Sequence, residues 1–274
     1  MEYRELGATG VMIPEVGLGT WKYRGGPEPL RRGIELGATL IDTAEMYRTE
    51  DAVGQAIRGI RDRVFVATKV LGSNLRYDDV MRAAEKSLRL LDDPVIDLYQ
   101  IHWPSRSVPI AETMRAMETL ADRGVIKHIG VSNFSVADMR EAQAAMSRYP
   151  IVCNQVLYNL KRRSIERDLI PYCEDNRITV MAYTPLADGS LAVRPRRSIM
   201  GSSKGGREWG ALESVARETG RTPAQVALNW CLSRAPVVVI PKTNSVARTE
   251  ENCGASGWRL TEAQAARLEA AFPG

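Results

Sequence analysis

The sequence predicts an α/β protein: a (β/α)8 TIM barrel with an N-terminal β-hairpin closing its bottom. Three observations carry this expectation. After residue 14, short β-branched runs alternate with longer helical patterns, as in a parallel sheet with crossover helices. The runs number eight, the count at which such a sheet closes. The length of 274 residues suits one undivided barrel, which commonly takes about 250, so a single domain over 1–274 is expected.

Residues 1–14 read as a small hairpin, with Gly7-Ala8-Thr9-Gly10 as its turn, placed to plug the barrel bottom. Strands are expected at 16–19, 39–42, 64–69, 96–102, 126–132, 152–155, 179–183 and 237–241. Helical patterns separate them. In 78–91, Val80, Ala84, Leu88 and Leu91 fall on one face. Ser135 precedes Val136-Ala137-Asp138, a capping-box pattern, and Thr222-Pro223 and Thr261 mark two further helix starts. Residues 187–209 hold four glycines, several serines and Arg194, Arg196 and Arg197. They are expected to form a long loop that folds as a flap over a ligand.

Composition narrows the function classes. No apolar run approaches the ~20 residues of a membrane span, so no membrane partner is expected. Met1-Glu2-Tyr3-Arg4-Glu5-Leu6 lacks the apolar core of a secretory signal, and a cytoplasmic protein is expected. The net charge is +4, without a basic tail or a Lys/Arg cluster interleaved with aromatics. Nucleic acid is therefore not an expected partner, and a site for an anionic ligand suits the charge better. Cys153, Cys173, Cys231 and Cys253 form no CxxC pair, and His102 and His128 are the only histidines, so no metal site is expected. The cysteines read as buried, reduced thiols, and His128, inside a strand pattern, reads as structural. Asn133-Phe134-Ser135 matches a glycosylation sequon, which means nothing without a secretory signal.

Four residues carry the chemistry. Asp42, Lys69 and His102 close expected strands, and Tyr47 lies in the loop after one. In a barrel all C-terminal strand ends meet at one mouth, which gathers a carboxylate, an ammonium, an imidazole and a phenol. The set suits proton transfer to or from a carbonyl or alcohol oxygen. Tyr47 is the natural donor. Lys69 is expected to lower its pKa, since two unit charges ~4 Å apart interact by roughly 4 kcal/mol at an effective dielectric of ~20. Asp42 would fix the lysine, and His102 would hydrogen-bond the substrate oxygen or help relay the proton. Each residue alone also has a packing or ion-pair explanation; their joint placement gives the functional one its weight.

A proton donor alone does not reduce a carbonyl; a hydride source is needed, and no side chain supplies one. Gly17-Leu18-Gly19 lacks the third glycine of a dinucleotide fingerprint, and there is no P-loop. The later strand ends offer another mode. Ser132, Asn133 and Gln155 can hydrogen-bond an amide such as a nicotinamide carboxamide, and Tyr183 offers a flat face for stacking. Lys242-Thr243-Asn244 opens an expected helix with Arg248 one turn in, a good anion site. The same segment alone also reads as an ordinary N-cap with solvated cations.

Several strings then make the chain recognisable. They are Gly17-Leu18-Gly19-Thr20-Trp21, Asp42-Thr43-Ala44-Glu45-Met46-Tyr47, Leu98-Tyr99-Gln100-Ile101-His102-Trp103-Pro104, Gly130-Val131-Ser132-Asn133-Phe134, Asn154-Gln155-Val156 and Ile240-Pro241-Lys242-Thr243, extended to Arg248 and Glu251-Asn252. From about residue 3 onward the chain resembles the aldo-keto reductase superfamily, as a compact, prokaryotic-type member. The resemblance implies a barrel that binds NADPH (NADP) across its mouth and reduces a small-molecule carbonyl substrate as a monomer. It implies a catalytic tetrad of Asp42, Tyr47, Lys69 and His102, with Tyr47 as general acid. Ser132, Asn133 and Gln155 would hold the carboxamide, with Asp42 beside them. Tyr183 would stack on the nicotinamide, with Leu186 nearby. Gly19, Thr20 and Trp21 would border the cofactor, and Trp21, Tyr47, His102 and Trp103 the substrate. Lys242, Thr243, Asn244 and Arg248 would bind the 2′-phosphate, and Glu251 and Asn252 would approach the adenine. Thr49 stands where family members often have asparagine. The chain ends at Gly274, soon after its last helix, where relatives with long tails wall the pocket, so a broad specificity is expected. Two other readings stay open: a nucleotide-binding sensor or accessory subunit on this fold, and a lyase using Lys69 as a Schiff base.

Overall fold

In the computed structural model the described residues are 1–194 and 203–273. The chain begins with an antiparallel hairpin of β1 (Tyr3–Glu5) and β2 (Met12–Pro14), in the register Tyr3↔Pro14 and Glu5↔Met12. The eight strands of the barrel follow: β3 (Leu18–Gly19), β4 (Leu40–Asp42), β5 (Phe65–Val70), β6 (Ile96–Ile101), β7 (Ile126–Ser132), β8 (Ile151–Leu157), β9 (Thr179–Tyr183) and β10 (Val237–Val239). Neighbours pair in parallel in sequence order. Parallel bridges Val16↔Val239 and Gly19↔Lys242 join the first strand to the last, and Gly17 and Gly19 donate backbone N–H groups to Val239 and Pro241 at 2.8 and 3.1 Å. The expected barrel and its eight strands are therefore present, with boundaries shifted by a few residues.

The hairpin plugs the barrel as expected. Leu6 and Ile13 are fully buried and share one cluster with Leu40, Ala67, Leu98, Cys153, Met181 and Val238. The Gly7 N–H donates to Thr179 Oγ1 at 2.8 Å. Gly7 has φ +57°, and a Cβ there would lie 3.0 Å from Val152, so the turn needs glycine for both space and backbone. The same interior cluster sets the mouth, because side chains two apart on a strand share a face. Leu40 precedes Asp42, Ala67 precedes Lys69, Leu98 precedes Gln100 and then His102, Cys153 precedes Gln155, and Met181 precedes Tyr183. Inward polar groups thus sit one and two layers above an apolar plug.

Helices cover the outside, burying the alternate residues such as Val66, Ile101, Val131, Val180 and Val239. They are α1 (Pro27–Glu35), α2 (Glu50–Ile57), α3 (Tyr77–Leu91), α4 (Ile110–Asp122), α5 (Val136–Ala144), α6 (Leu169–Asp175), α7 (Ser203–Thr219), α8 (Pro223–Leu232), α9 (Val246–Cys253) and α10 (Glu262–Ala271). Ser135, Thr222 and Thr261 each start a helix, as the sequence suggested, and all three close a capping box, which the sequence reading gave for Ser135 alone.

One expectation needs correction. The segment 187–209 is not one long loop, because α7 starts at Ser203. Trp209, Leu212, Val215 and Ala216 form a buried stripe that holds this helix to the core, which the glycine and serine content concealed. The part of the expected flap at 195–202, with Arg196 and Arg197, lies outside the described residues.

Candidate active site

Four elements bring the chemical groups together. Asp42 ends β4, Lys69 lies in β5, and His102 follows β6 with its N–H donated to Val70 O at 3.2 Å. Tyr47 ends a one-turn 3-10 helix, Glu45–Tyr47, that follows β4. Lys69 Nζ donates to Asp42 Oδ1 and Oδ2 at 2.8 and 2.9 Å, to the Thr43 carbonyl at 2.7 Å and to Tyr47 Oη at 3.3 Å. The ammonium also lies 4.6 Å from the Tyr47 ring centre. His102 packs edge-on to Tyr47 at 5.5 Å and stacks on Trp103 at 4.0 Å. Trp21 flanks the other side of Tyr47 at 4.9 Å. All four expected residues meet, and aromatic rings border them.

Electrostatics assign each group a state. Burial alone would push the Lys69 ammonium down, but the Asp42 and Tyr47 charges outweigh it and raise its pKa. Burial pushes Asp42 up, opposed by Lys69, Gln155 and Gln100. An ammonium within 2.9 Å of both carboxylate oxygens is an ion pair, so both groups are taken as charged. Gln155 Nε2 donates to Asp42 Oδ1 at 2.7 Å, whereas neither amide atom of fully buried Gln100 reaches hydrogen-bonding geometry. Tyr47 departs from expectation. Burial raises its pKa more than Lys69 lowers it, and the net direction is upward. The phenol therefore stays protonated at neutral pH. Since Lys69 donates to its oxygen, its own proton is free for another acceptor. Burial, helped by Lys69, brings His102 down to about 3, so the imidazole is neutral.

A cavity of about 570 Å³ opens above this group. It is lined by Gly19, Thr20, Trp21, Asp42, Tyr47, His102, Trp103, Ser132, Asn133, Gln155, Tyr183, Leu186 and Lys242 among the expected residues. Lys69 lies behind the wall, fully buried. Ser132 Oγ donates to Gln155 O at 2.8 Å, Asn133 Nδ2 donates to His102 O at 3.1 Å, and Tyr183 Oη donates to Asn133 Oδ1 at 2.9 Å. Asn133 adopts φ 62°, a conformation asparagine tolerates, and this turns its amide toward the mouth.

Of the expected phosphate and adenine residues, Lys242 lines this cavity and Thr243, Asn244, Arg248, Glu251 and Asn252 do not. Asn244 Oδ1 accepts the Arg24 N–H at 2.9 Å, Thr243 Oγ1 accepts from Ser245 N at 3.1 Å, and Arg248 is ion-paired with Glu251. Thr243 and Asn252 border a narrow crevice beside Gly17 and Pro241. Sequence reasoning missed Lys22 and Arg24. Burial first, then the charges of Arg24 and Lys22, lower the Lys242 pKa; Lys22 and Lys242 line the cavity, and Arg24 stands near enough to act on Lys242. The only sequence signal was their alternation in Trp21-Lys22-Tyr23-Arg24. Sequence reasoning noted Thr49 but gave it no role. The Thr20 hydroxyl donates to Asp42 O at 2.9 Å, and Thr49 Oγ1 lies 2.9 Å from Thr20 Oγ1 and 3.0 Å from Thr43 Oγ1. One proton per hydroxyl orders the chain as Thr43 to Thr49 to Thr20 to the Asp42 carbonyl, tying β3, β4 and α2 together.

Comparison with known proteins agrees with this geometry. The profile of the aldo/keto reductase family matches residues 15–272. The chain is 39% identical to the methylglyoxal reductase YeaE of Escherichia coli K12, over 96% of this chain and 92% of that protein. It is 33% identical to a glyoxal reductase of Bacillus subtilis 168, over 95% and 90%. Among solved structures, an aldo/keto reductase from Klebsiella pneumoniae in complex with NADP and acetate superposes with a TM-score of 0.85 at 37% identity, covering 99% of this chain and 95% of that one. The thermostable aldo-keto reductase Tm1743, in complex with the inhibitor epalrestat, gives a TM-score of 0.89 at 38% identity, over 99% and 100%. A barrel with this mouth, matched by the family profile over almost its whole length, leaves one assignment: the chain belongs to the aldo/keto reductase family.

Proposed function

We propose that the protein reduces aldehydes and ketones to alcohols with NADPH, and that Tyr47 is the general acid. The observation that carries the proposal is the Lys69 ammonium held on Asp42 and donating to Tyr47 Oη, at the wall of an open cavity. The residues present fit the cofactor. At Gly19 a Cβ would lie 2.6 Å from Ile240 O, so bare backbone borders the cavity there. Gln155 Oε1 is left to pair with a carboxamide beside the Asn133 amide, whose N–H groups are held by His102 O and Ser132 Oγ; Tyr183 offers a ring face, and the Lys22, Arg24 and Lys242 cluster suits phosphate. When bound, the reduced nicotinamide supplies hydride to the carbonyl carbon. Tyr47 gives its proton to the carbonyl oxygen, and Lys69 stabilises the phenolate left behind. His102 has its Nδ1 enclosed without a partner. Buried orphan N–H groups are rarer than orphan acceptors, so the proton belongs on Nε2, where it can hydrogen-bond the carbonyl oxygen.

Trp21 and Trp103 are 44% and 41% exposed, an apolar rim that suits small carbonyl compounds. The names of the methylglyoxal and glyoxal reductases among the relatives point to small dicarbonyls as the first substrates to try. Schiff-base chemistry is disfavoured, since Lys69 is fully buried and holds three acceptors besides Tyr47 Oη. The four buried free cysteines suit a cytoplasmic protein. Among the described residues no helix is long and apolar enough to cross a membrane.

The test is NADPH oxidation with a panel of dicarbonyl, aliphatic and aromatic carbonyls, for wild type and Tyr47→Phe. General acid catalysis contributes about 10²–10⁴-fold, and kcat should fall by that order while the Kd for NADPH stays within a few-fold. A variant keeping a tenth of kcat, or a wild type that binds NADPH without turnover, would refute the proposal.

A further inference from the structure

The Tyr47 Oη–Lys69 Nζ contact, at 3.3 Å, is the longest of the four hydrogen bonds made by the Lys69 ammonium, and something must hold the turn that carries the phenol. Tyr47 closes a single 3-10 turn, and Arg48 after it adopts φ 55°. Few bonds within so short an element resist drift. Glu45, at the other end of the turn, is the tie. Its side chain is only 9% exposed. It accepts the Leu71 backbone N–H at 3.0 Å and the Asn74 amide through both oxygens at 3.0 and 3.1 Å, with Lys86 of α3 at 3.7 Å. Leu71 directly follows β5 and lies two residues beyond Lys69, just as Glu45 lies two residues before Tyr47. One carboxylate therefore links the backbone beside the acid to the backbone beside its partner.

We propose that Glu45 is a positioning residue, which holds the Tyr47 turn against the end of β5 and so fixes the Lys69–Tyr47 contact. The proposal rests on the reading of Tyr47 as general acid. Glu45 acts through geometry, since its carboxylate is turned to Leu71 and Asn74. The groups facing Tyr47 are Lys69, Asp42, His102 and Tyr183; those around Glu45 are Lys86, Glu50 and Tyr99.

Three variants separate a tie from a charge. Glu45→Ala removes the link, Asn74→Ala weakens it from the other side, and Glu45→Gln removes the charge but keeps an acceptor for Leu71 N–H. A displacement of about 1 Å at a reacting group costs on the order of a hundredfold, so Glu45→Ala should lose roughly ten- to a hundredfold in kcat, with Asn74→Ala losing less and Glu45→Gln within about threefold of wild type. The NADPH Kd should not change. Without cofactor, a crystal structure of Glu45→Ala should show Lys69 Nζ out of hydrogen-bond reach of Tyr47 Oη. The alkaline limb of the kcat profile should move to higher pH in Glu45→Ala, because Lys69 no longer favours the phenolate; loss of the Glu45 charge alone would move it to lower pH. The idea is overturned if Glu45→Ala keeps both its kcat and the Lys69–Tyr47 contact, or if Glu45→Gln falls as far as Glu45→Ala. A Glu45→Ala chain that does not fold leaves Asn74→Ala to decide, and an unchanged kcat and contact there overturns the idea equally. If Tyr47→Phe stays active, the general-acid reading itself fails, independently of the contact seen in the crystals.

Discussion

At Tyr47, opposed effects set the protonation state of the proposed acid. Burial lifts its pKa, Lys69 pulls it back, and the net direction remains upward. The proposed reaction needs the protonated phenol. The rate should therefore be flat across the neutral range and fall only as pH rises through a Tyr47 pKa above the usual phenol value. His102 is held neutral, with a pKa near about 3, so no acid limb should appear near the ordinary histidine value of roughly 6.5. A pH profile of kcat/KM, with a stable protein at each point, checks both statements; a break near neutrality that vanishes in His102→Gln would contradict the second. The four tetrad residues were legible in the sequence because each lies at or just after a strand end, where the fold class alone says they must meet. The direction of the Tyr47 shift was not. It depends on how deeply the phenol is enclosed, and Trp21 and His102, which enclose it, come from other strands.

At the scale of elements, the seam between β3 and the chain after β10 is the critical join. Gly17 and Gly19 give their N–H groups across it, and the two chains approach so closely at Gly19 that a Cβ would sit 2.6 Å from Ile240 O. The obstructing atom is backbone carbonyl, which cannot swing aside. Gly19→Ala should therefore part the seam, costing about 1–3 kcal/mol as overpacking does. At this chain length that is a fall of about 2–4 °C in Tm for each kcal/mol. Cofactor affinity should fall with it, because the same seam borders the cavity. Differential scanning calorimetry and NADPH titration would test this, and an unchanged Tm would show that the seam is looser than drawn. Gly17-Leu18-Gly19 was visible as a motif, but its reason was not: the partner backbone lies 222 residues away. Conversely, the helix starts at Ser135, Thr222 and Thr261 were legible because each cap and its partner lie within four residues. The start of α7 was hidden by glycines that precede its buried stripe.

On the scale of the whole molecule, barrel closure joins the two ends of the chain and with them their charges. Lys22 and Arg24 follow β3, Lys242 follows β10, and the closed seam sets Lys22 and Lys242 at the cavity wall with Arg24 close by. The sequence suggested Lys242 and Arg248 for an anion site but could not show that trio, since only the closed barrel makes residues 22 and 242 neighbours. The roles of the two cations then separate. Lys242 faces like charges whose repulsion an anion relieves. Arg248 is 51% exposed and already paired with Glu251, so part of its charge is spent. Surface ion pairs contribute little and are screened by salt, whereas a charge-assisted hydrogen bond to phosphate is worth about 1.5–3 kcal/mol. The protein should therefore prefer NADPH over NADH by at least about tenfold, the factor given by ~1.4 kcal/mol. Lys242→Ala should erase more of that preference than Arg248→Ala, and the preference should shrink as ionic strength rises. Fluorescence quenching with each cofactor, at low and high salt, gives the four dissociation constants needed for each protein. Equal affinities in the wild type would remove the phosphate site. A larger loss in Arg248→Ala would mean that the arginine leaves Glu251 to meet the ligand, and that the cluster around Lys242 serves another part of the cofactor.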